Sequence, residues 1–325
     1  MEKKLLAVIV IVQILVIGLV GYRLLQKKNV LGTYSVSVMR KTDVVFSADD
    51  NLKHFYEPKP NSNDPYIKPP YFPYKATYTI NADSLNDRYN YSVKKPPGTC
   101  RIITLGDSFT YGLYVDTKDN WTELLEDKLH SEMKCSNIKK FEVINLGVWG
   151  YDKEYAVERF KRRGEKYNPD LVIWMDVYFK RMSEATNKFL EEYSKNPEFK
   201  KQVDQESKKD EGFDPWKKAL EQVNKEMTPS QIMDFQGRAM KRLDDYYRGD
   251  LIYIPIKRFF SPEELAFAKN IIDKRPKGYF FDGLRNFYNE GGAINGDEHP
   301  NQKGHGMIAE DVYNYLISNN FMNCK

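Results

Sequence analysis

Alternating strand and helix patterns place this chain in the α/β class, as a three-layer sandwich around a central parallel sheet. Strand-like apolar runs recur near 101–105, 141–146, 170–177 and 250–255, with a weaker one at 278–281. Helical patterns fill 120–133 and 152–166, and a terminal helix is expected over about 304–318. Alternation of this kind argues for a parallel sheet covered on both faces. At 325 residues the chain is ample for one such domain with additions.

The N-terminal part, residues 1–28, reads as a membrane anchor. Leu5 through Tyr22 is apolar except for Gln13 and the small Gly18 and Gly21. Such a run reaches about 27 Å as a helix, close to the thickness of a bilayer's hydrocarbon layer. Lys3 and Lys4 precede it; Arg23, Lys27 and Lys28 follow it. The sequence after it, Val20-Gly-Tyr-Arg-Leu-Leu, offers no small-x-small cleavage site, which favours an uncleaved signal anchor over a signal peptide. The flanking positive charges nearly balance, and the short basic start favours a cytoplasmic N-terminus with the domain outside.

Residues 29–97 form a lead-in rich in proline and tyrosine. Pro58-Lys-Pro-Asn-Ser-Asn-Asp-Pro65 and Lys68-Pro-Pro-Tyr-Phe-Pro-Tyr74 cannot make long helices. Ala76 to Asn81 alternates like a short strand. The tyrosines are expected to pack on the domain's flank; stacking on sugar rings is the alternative.

Chemistry concentrates at the two ends of residues 98–325. In Arg101-Ile-Ile-Thr-Leu-Gly-Asp-Ser-Phe-Thr-Tyr-Gly112 a buried strand runs into a tight turn at Gly106-Asp107-Ser108, followed by a capped helix through Trp121 to Leu129. A serine at such a turn has its hydroxyl at the sheet edge and its N–H near a helix N-terminus, which suits a nucleophile beside a developing oxyanion. Near the other end stands Asp297-Glu-His299-Pro-Asn-Gln-Lys-Gly-His305, before an apolar helical pattern. A serine early and an Asp and a His late can form a Ser–His–Asp relay. Between them, about 182–249 reads as a charged, helical insertion. Trp216, Ala219, Leu220, Val223 and Met227 make one stripe; Ile232, Phe235, Ala239, Leu243 and Tyr247 make a second. Its place after the third strand suits a wall or lid.

These motifs resemble the SGNH (GDSL-like) hydrolase superfamily, in its membrane-anchored bacterial type, over roughly residues 98–320. The resemblance implies a flavodoxin-like sheet with Ser108 as nucleophile, His299 as base and Asp297 as the acid orienting it. Many members place that Asp three residues before the His rather than two. Val143-Ile-Asn-Leu-Gly-Val-Trp-Gly150 matches the second block, making Gly150 an oxyanion donor beside the Ser108 N–H. Asn81-Ala-Asp-Ser-Leu-Asn-Asp-Arg resembles the "Asn-x-x-Gly-Leu/Phe-Arg-Asp" lead-in of anchored members. The third block departs: Asp170-Leu-Val-Ile-Trp-Met-Asp-Val-Tyr-Phe-Lys-Arg181 carries no Asn, and Phe179 and Lys180 occupy its approximate positions. Losing one oxyanion donor costs about 2.7–4 kcal/mol of transition-state stabilisation. Lys180, Arg181 or Tyr178 are candidates to replace it. The activity implied is a serine esterase or deacetylase acting on acylated envelope carbohydrate or a related ester. An O-acyltransferase with the same site is one alternative; a non-catalytic, membrane-anchored scaffold or glycan-binding protein is another.

Other classes find less support. The net charge of +4 is small against 50 basic and 46 acidic residues, so no nucleic-acid partner is expected. No P-loop or Gly-x-Gly-x-x-Gly pattern points to a nucleotide cofactor, and no cofactor is expected. Asp297, His299 and His305 could hold zinc or manganese, but no second ligand cluster accompanies them, so no metal is expected. Of the other histidines, His54 lies in the lead-in and His130 at a helix end. Cys100, Cys135 and Cys324 permit one bridge with a free thiol, or three reduced thiols.

Overall fold

The computed structural model describes residues 55–58, 60–62, 76–177, 179–206, 215–294 and 298–322. The expected anchor over 1–28, His54, Tyr178, Asp297 and Cys324 lie outside them. Among the described residues no helix is long and apolar enough to cross a membrane.

Five strands form a single sheet: β1 (Thr99–Leu105), β2 (Lys140–Asn145), β3 (Leu171–Asp176), β4 (Asp250–Pro255) and β5 (Gly278–Phe280). Their order is β2-β1-β3-β4-β5, and every pair is parallel. Leu105 lies opposite Trp174, and Trp174 opposite Tyr253. Successive side chains on a strand point to opposite faces, and both faces are buried here. Ile102, Ile173, Ile252 and Ile254 share one core cluster with Leu125 of α2 (Trp121–Glu132) and Ile308 of the terminal helix, Gln302–Ser318. Ile103, Val172, Trp174 and Tyr253 share the other with Val157 of α3 (Lys153–Arg159). A three-layer α/β sandwich results, as the alternation predicts.

Two expectations need correction. No continuous helix follows the Ser108 turn: α1 (Ser108–Tyr111) is one turn long and stops at Gly112, whose φ of 81° is left-handed. Asn120 Nδ2 then donates to the Thr110 and Tyr111 carbonyls, and α2 starts afresh at Trp121. The second correction concerns the insertion. Helices α4 (Met182–Lys195), α5 (Pro197–Glu206), α6 (Pro215–Lys225) and α7 (Pro229–Arg242) fill it. Met182 and Ala185 of α4 cluster with Leu220 and Val223 of α6. α7 does something different: Ile232 and Met240 join the sheet-facing core, with Ile271 of α8 (Pro262–Asp273). It is therefore the crossover helix between β3 and β4, capped by a reciprocal Thr228–Gln231 box. The separable part ends near its N-cap.

The terminal helix, α9, starts at Gln302 because the Asn301 side chain accepts from the Gly304 N–H. Cys100 is a free, buried thiol, whereas Cys135 is disulfide-bonded, so these two do not pair. In the lead-in, Ser84 takes a φ of 63° where the related pattern has glycine. Its carbonyl accepts from the Arg159 guanidinium.

Candidate active site

Ser108 opens α1 at the C-terminal end of β1, where ligands gather in open parallel sheets. Asp107 caps the turn, its carboxylate accepting from the Phe109 N–H at 3.0 Å. Burial pushes the Asp107 carboxyl up to about 7, and Asp176 adds to the rise while the Phe109 N–H and His299 oppose it.

His299 Nε2 lies 2.8 Å from Ser108 Oγ, although the residues are far apart in sequence. Its backbone is pinned by Ile294, whose N–H donates to the His299 carbonyl at 3.0 Å, and by the bridge between Ala293 and Pro300. Two aromatic rings set the imidazole plane. Phe109 lies 5.1 Å from it, tilted by 35°; Tyr114 meets it edge-on at 5.3 Å. Tyr114 holds a left-handed φ of 73°, a conformation costing a non-glycine residue about 1–3 kcal/mol. Its N–H donates to the Tyr78 hydroxyl at 2.8 Å, which ties that conformation to the lead-in.

The Gly147–Gly150 turn follows β2. Asn145 Oδ1 accepts from the Gly147 N–H, and Val148 donates to the Gly106 carbonyl, so this turn is laid against the Ser108 turn. Gly150 has a φ of 73°, where L side chains are strained. Among the described residues no acceptor takes the N–H of Ser108 or Gly150.

The third-block positions point elsewhere. Phe179 is buried among Phe260 and Phe267, and Lys180 is exposed. Arg181 is buried and turned to the insertion, donating to the Val223 carbonyl and pairing with Glu184. Motif reading passed over a different group. Asp176, ending β3, pairs with the buried Lys153 ammonium at 2.7 Å and accepts from the Tyr253 hydroxyl. The Lys153 ammonium also lies 3.8 Å from the Phe179 ring centroid. A carboxylate closing an otherwise apolar strand was the one sequence signal for this cluster.

His305, the remaining metal-ligand candidate, is fully buried. Its Nδ1 accepts from the Trp121 N–H at 3.2 Å, and burial pushes its pKa down to about 3. Among the described residues no group of three potential metal ligands occurs. A cavity of about 380 Å³, lined by Tyr114, Asp116, Asp119, Ile294, Gln302 and Lys303 among others, meets His299 only through Tyr114 and Ile294; Ser108 and His299 do not line it.

No protein-family model and no curated protein matches the chain. Solved esterase structures are similar to it at low identity. EstA from Pseudoalteromonas sp., a psychrotrophic esterase, is 15% identical with a TM-score of 0.42, covering 67% of this chain and 97% of that one. The lipase/acylhydrolase from Enterococcus faecalis is 13% identical with a TM-score of 0.41, covering 68% and 96%. Axe2, an acetylxylan esterase from Geobacillus stearothermophilus, is 14% identical with a TM-score of 0.41, covering 69% and 96%.

Proposed function

We propose that the protein is a serine ester hydrolase working through an acyl-serine intermediate. The observation that carries this reading is the 2.8 Å approach of His299 Nε2 to Ser108 Oγ at a strand-to-helix turn. His299 takes the Ser108 proton as the oxygen attacks the ester carbonyl. The carbonyl oxygen becomes an oxyanion, stabilised by the N–H groups of Ser108 and Gly150. His299 returns the proton to the leaving alcohol, and water then repeats the sequence on the acyl-serine. Asp297 would hold the imidazolium from two residues upstream; Phe109 and Tyr114 already fix the plane of its ring.

The substrate we propose is an acylated carbohydrate or a related ester. The cavity that shares Tyr114 with the His299 packing supports it, since it offers an aromatic ring, carboxylates and amides within one concavity. We also propose that an anchor over 1–28 holds the domain outside the cytoplasm. The apolar run Leu5–Tyr22 and the disulfide at Cys135 support that placement, because disulfides persist in oxidising compartments.

The test treats full-length protein in detergent with a fluorophosphonate probe, alongside Ser108→Ala and His299→Ala. The expected result is an adduct on Ser108 that neither variant forms, with acetyl-ester turnover falling by at least about 10³ in both. A folded protein that takes no label at Ser108 would overturn the reading.

A further inference from the structure

We infer that Tyr56, in the lead-in, is a positioning residue for the Gly150 N–H, so that the lead-in completes the hydrolytic site. This rests on the reading of Gly150 as an oxyanion donor. The Trp149 carbonyl and the Gly150 N–H are the two ends of one planar peptide unit. The Tyr56 hydroxyl donates to that carbonyl at 2.6 Å. A bond at the carbonyl end fixes the plane, and with it the direction of the N–H at the other end. It also polarises the amide, because hydrogen bonds in series strengthen one another. A donor serves an oxyanion best when it is aimed before the charge develops.

The surroundings fit this role. Tyr56 is only 4% exposed, and a Cβ on Gly150 would lie 2.5 Å from its hydroxyl oxygen. The phenol thus occupies the space a side chain at 150 would need. The ring packs on Trp149 at 5.2 Å and edge-on against Tyr151 at 5.3 Å. In return the Tyr151 hydroxyl donates to the Tyr56 carbonyl, closing a two-way clasp. The next residue, Glu57, is gripped by Arg159 and, at 2.7 Å, by Arg163. The segment therefore has anchors that do not depend on the Tyr56 hydroxyl. Replacing Tyr56 by Phe removes one oxygen and keeps the ring, the Tyr151 bond and the Glu57 pairs.

The experiment compares full-length wild type, Tyr56→Phe and Tyr151→Phe for p-nitrophenyl acetate hydrolysis, fluorophosphonate labelling rate and thermal midpoint. Tyr56→Phe is expected to lower kcat about tenfold at unchanged KM, a fraction of the roughly 10²–10³ lost when a donor is removed outright. Labelling of Ser108 should slow in parallel, since the phosphonyl adduct places an oxygen in the same position. The shape of the pH–rate profile should not change. Tyr151→Phe breaks the half of the clasp that does not touch the Gly150 peptide, and should keep kcat within about twofold even where its midpoint falls. Wild-type kcat in Tyr56→Phe overturns the proposal, and so does an equal kcat loss in Tyr151→Phe. Hydrolysis or labelling that survives Ser108→Ala overturns the parent reading instead, and this one with it.

Discussion

Gly147 stands where the second turn presses on the helix that carries Ser108. A Cβ there would lie 2.5 Å from the Tyr111 nitrogen and 2.7 Å from Thr110 Cβ. Neither neighbour is a flexible side-chain end, so Gly147→Ala must push α1 away from the turn. Overpacking of this kind costs about 1–3 kcal/mol. Because the moving part is α1, Ser108 labelling should slow by more than the loss of folded protein explains. Urea unfolding and labelling rates on the same samples check this; a destabilised Gly147→Ala that labels at the wild-type rate would refute it. Ser108 and His299, singled out in the sequence by a strand-to-helix turn and a late Asp-x-His block, do meet in the fold, whereas Gly150 was singled out only by the family resemblance. Lys153 and Asp176 were not legible in sequence, because they meet only when α3 and β3 are brought side by side. Tyr56 was hidden for a related reason. In a lead-in crowded with tyrosines, nothing local marks the one whose hydroxyl reaches the Trp149 carbonyl.

All five strands could be read from the sequence: β1 to β4 because buried parallel strands are short continuous apolar runs, and the half-buried, three-residue β5 only as a weaker run. The helices of the insertion were legible as helices but not by destination. The stripes over 216–227 and 232–247 share one period, and periodicity reports an apolar face without saying what covers it. Val223 of α6 is fully buried against Met182 and Ala185 of α4, whereas Ile232 of α7 joins the cluster of Ile103, Val172 and Trp174. A cavity of about 360 Å³, lined by Phe179, Leu220 and Ile232 among others, lies between the two groups. A carboxylate should therefore act differently at the two positions. Ile232→Asp places an unpaired charge against the sheet and should cost about 3 kcal/mol or more of global stability. Val223→Asp should open 182–228 to limited proteolysis while lowering the global unfolding free energy from urea titration by less than about 1 kcal/mol. Equal global losses would show that the insertion and the sheet unfold as one unit.

Across the whole molecule, the C-terminal edge of the sheet gathers Ser108 after β1, the Gly147–Gly150 turn after β2 and Asp176 at the end of β3. His299 arrives from the chain before α9, and the lead-in closes over the β2–α3 turn through residues 55–58. Glu57 makes that closure sensitive to acid. Burial alone would raise its carboxyl, but Arg159 and Arg163 outweigh it and hold the group down at about 2, against an ordinary 4.5. The folded value is the lower one, so the stabilisation is complete above about 4.5 and is lost as pH falls from there toward 2. The difference is worth on the order of 3 kcal/mol. Asp107 runs the other way: its folded value of about 7 lies above the ordinary 3.8, so its cost grows as pH rises from about 4 to 7 and is absent in acid. The raw pH profile mixes the two, and the informative quantity is the difference between wild type and Glu57→Gln. At pH 7 the variant leaves the buried Arg159 without its counter-charge and should be less stable by about 3 kcal/mol. As pH falls toward 3 the unfolded wild-type chain takes up a proton that the folded carboxylate, held near 2, still refuses, and the gap should narrow. Urea midpoints at pH 7, 5 and 3 measure it, and a gap that stays constant would show that Glu57 does not hold the lead-in by charge.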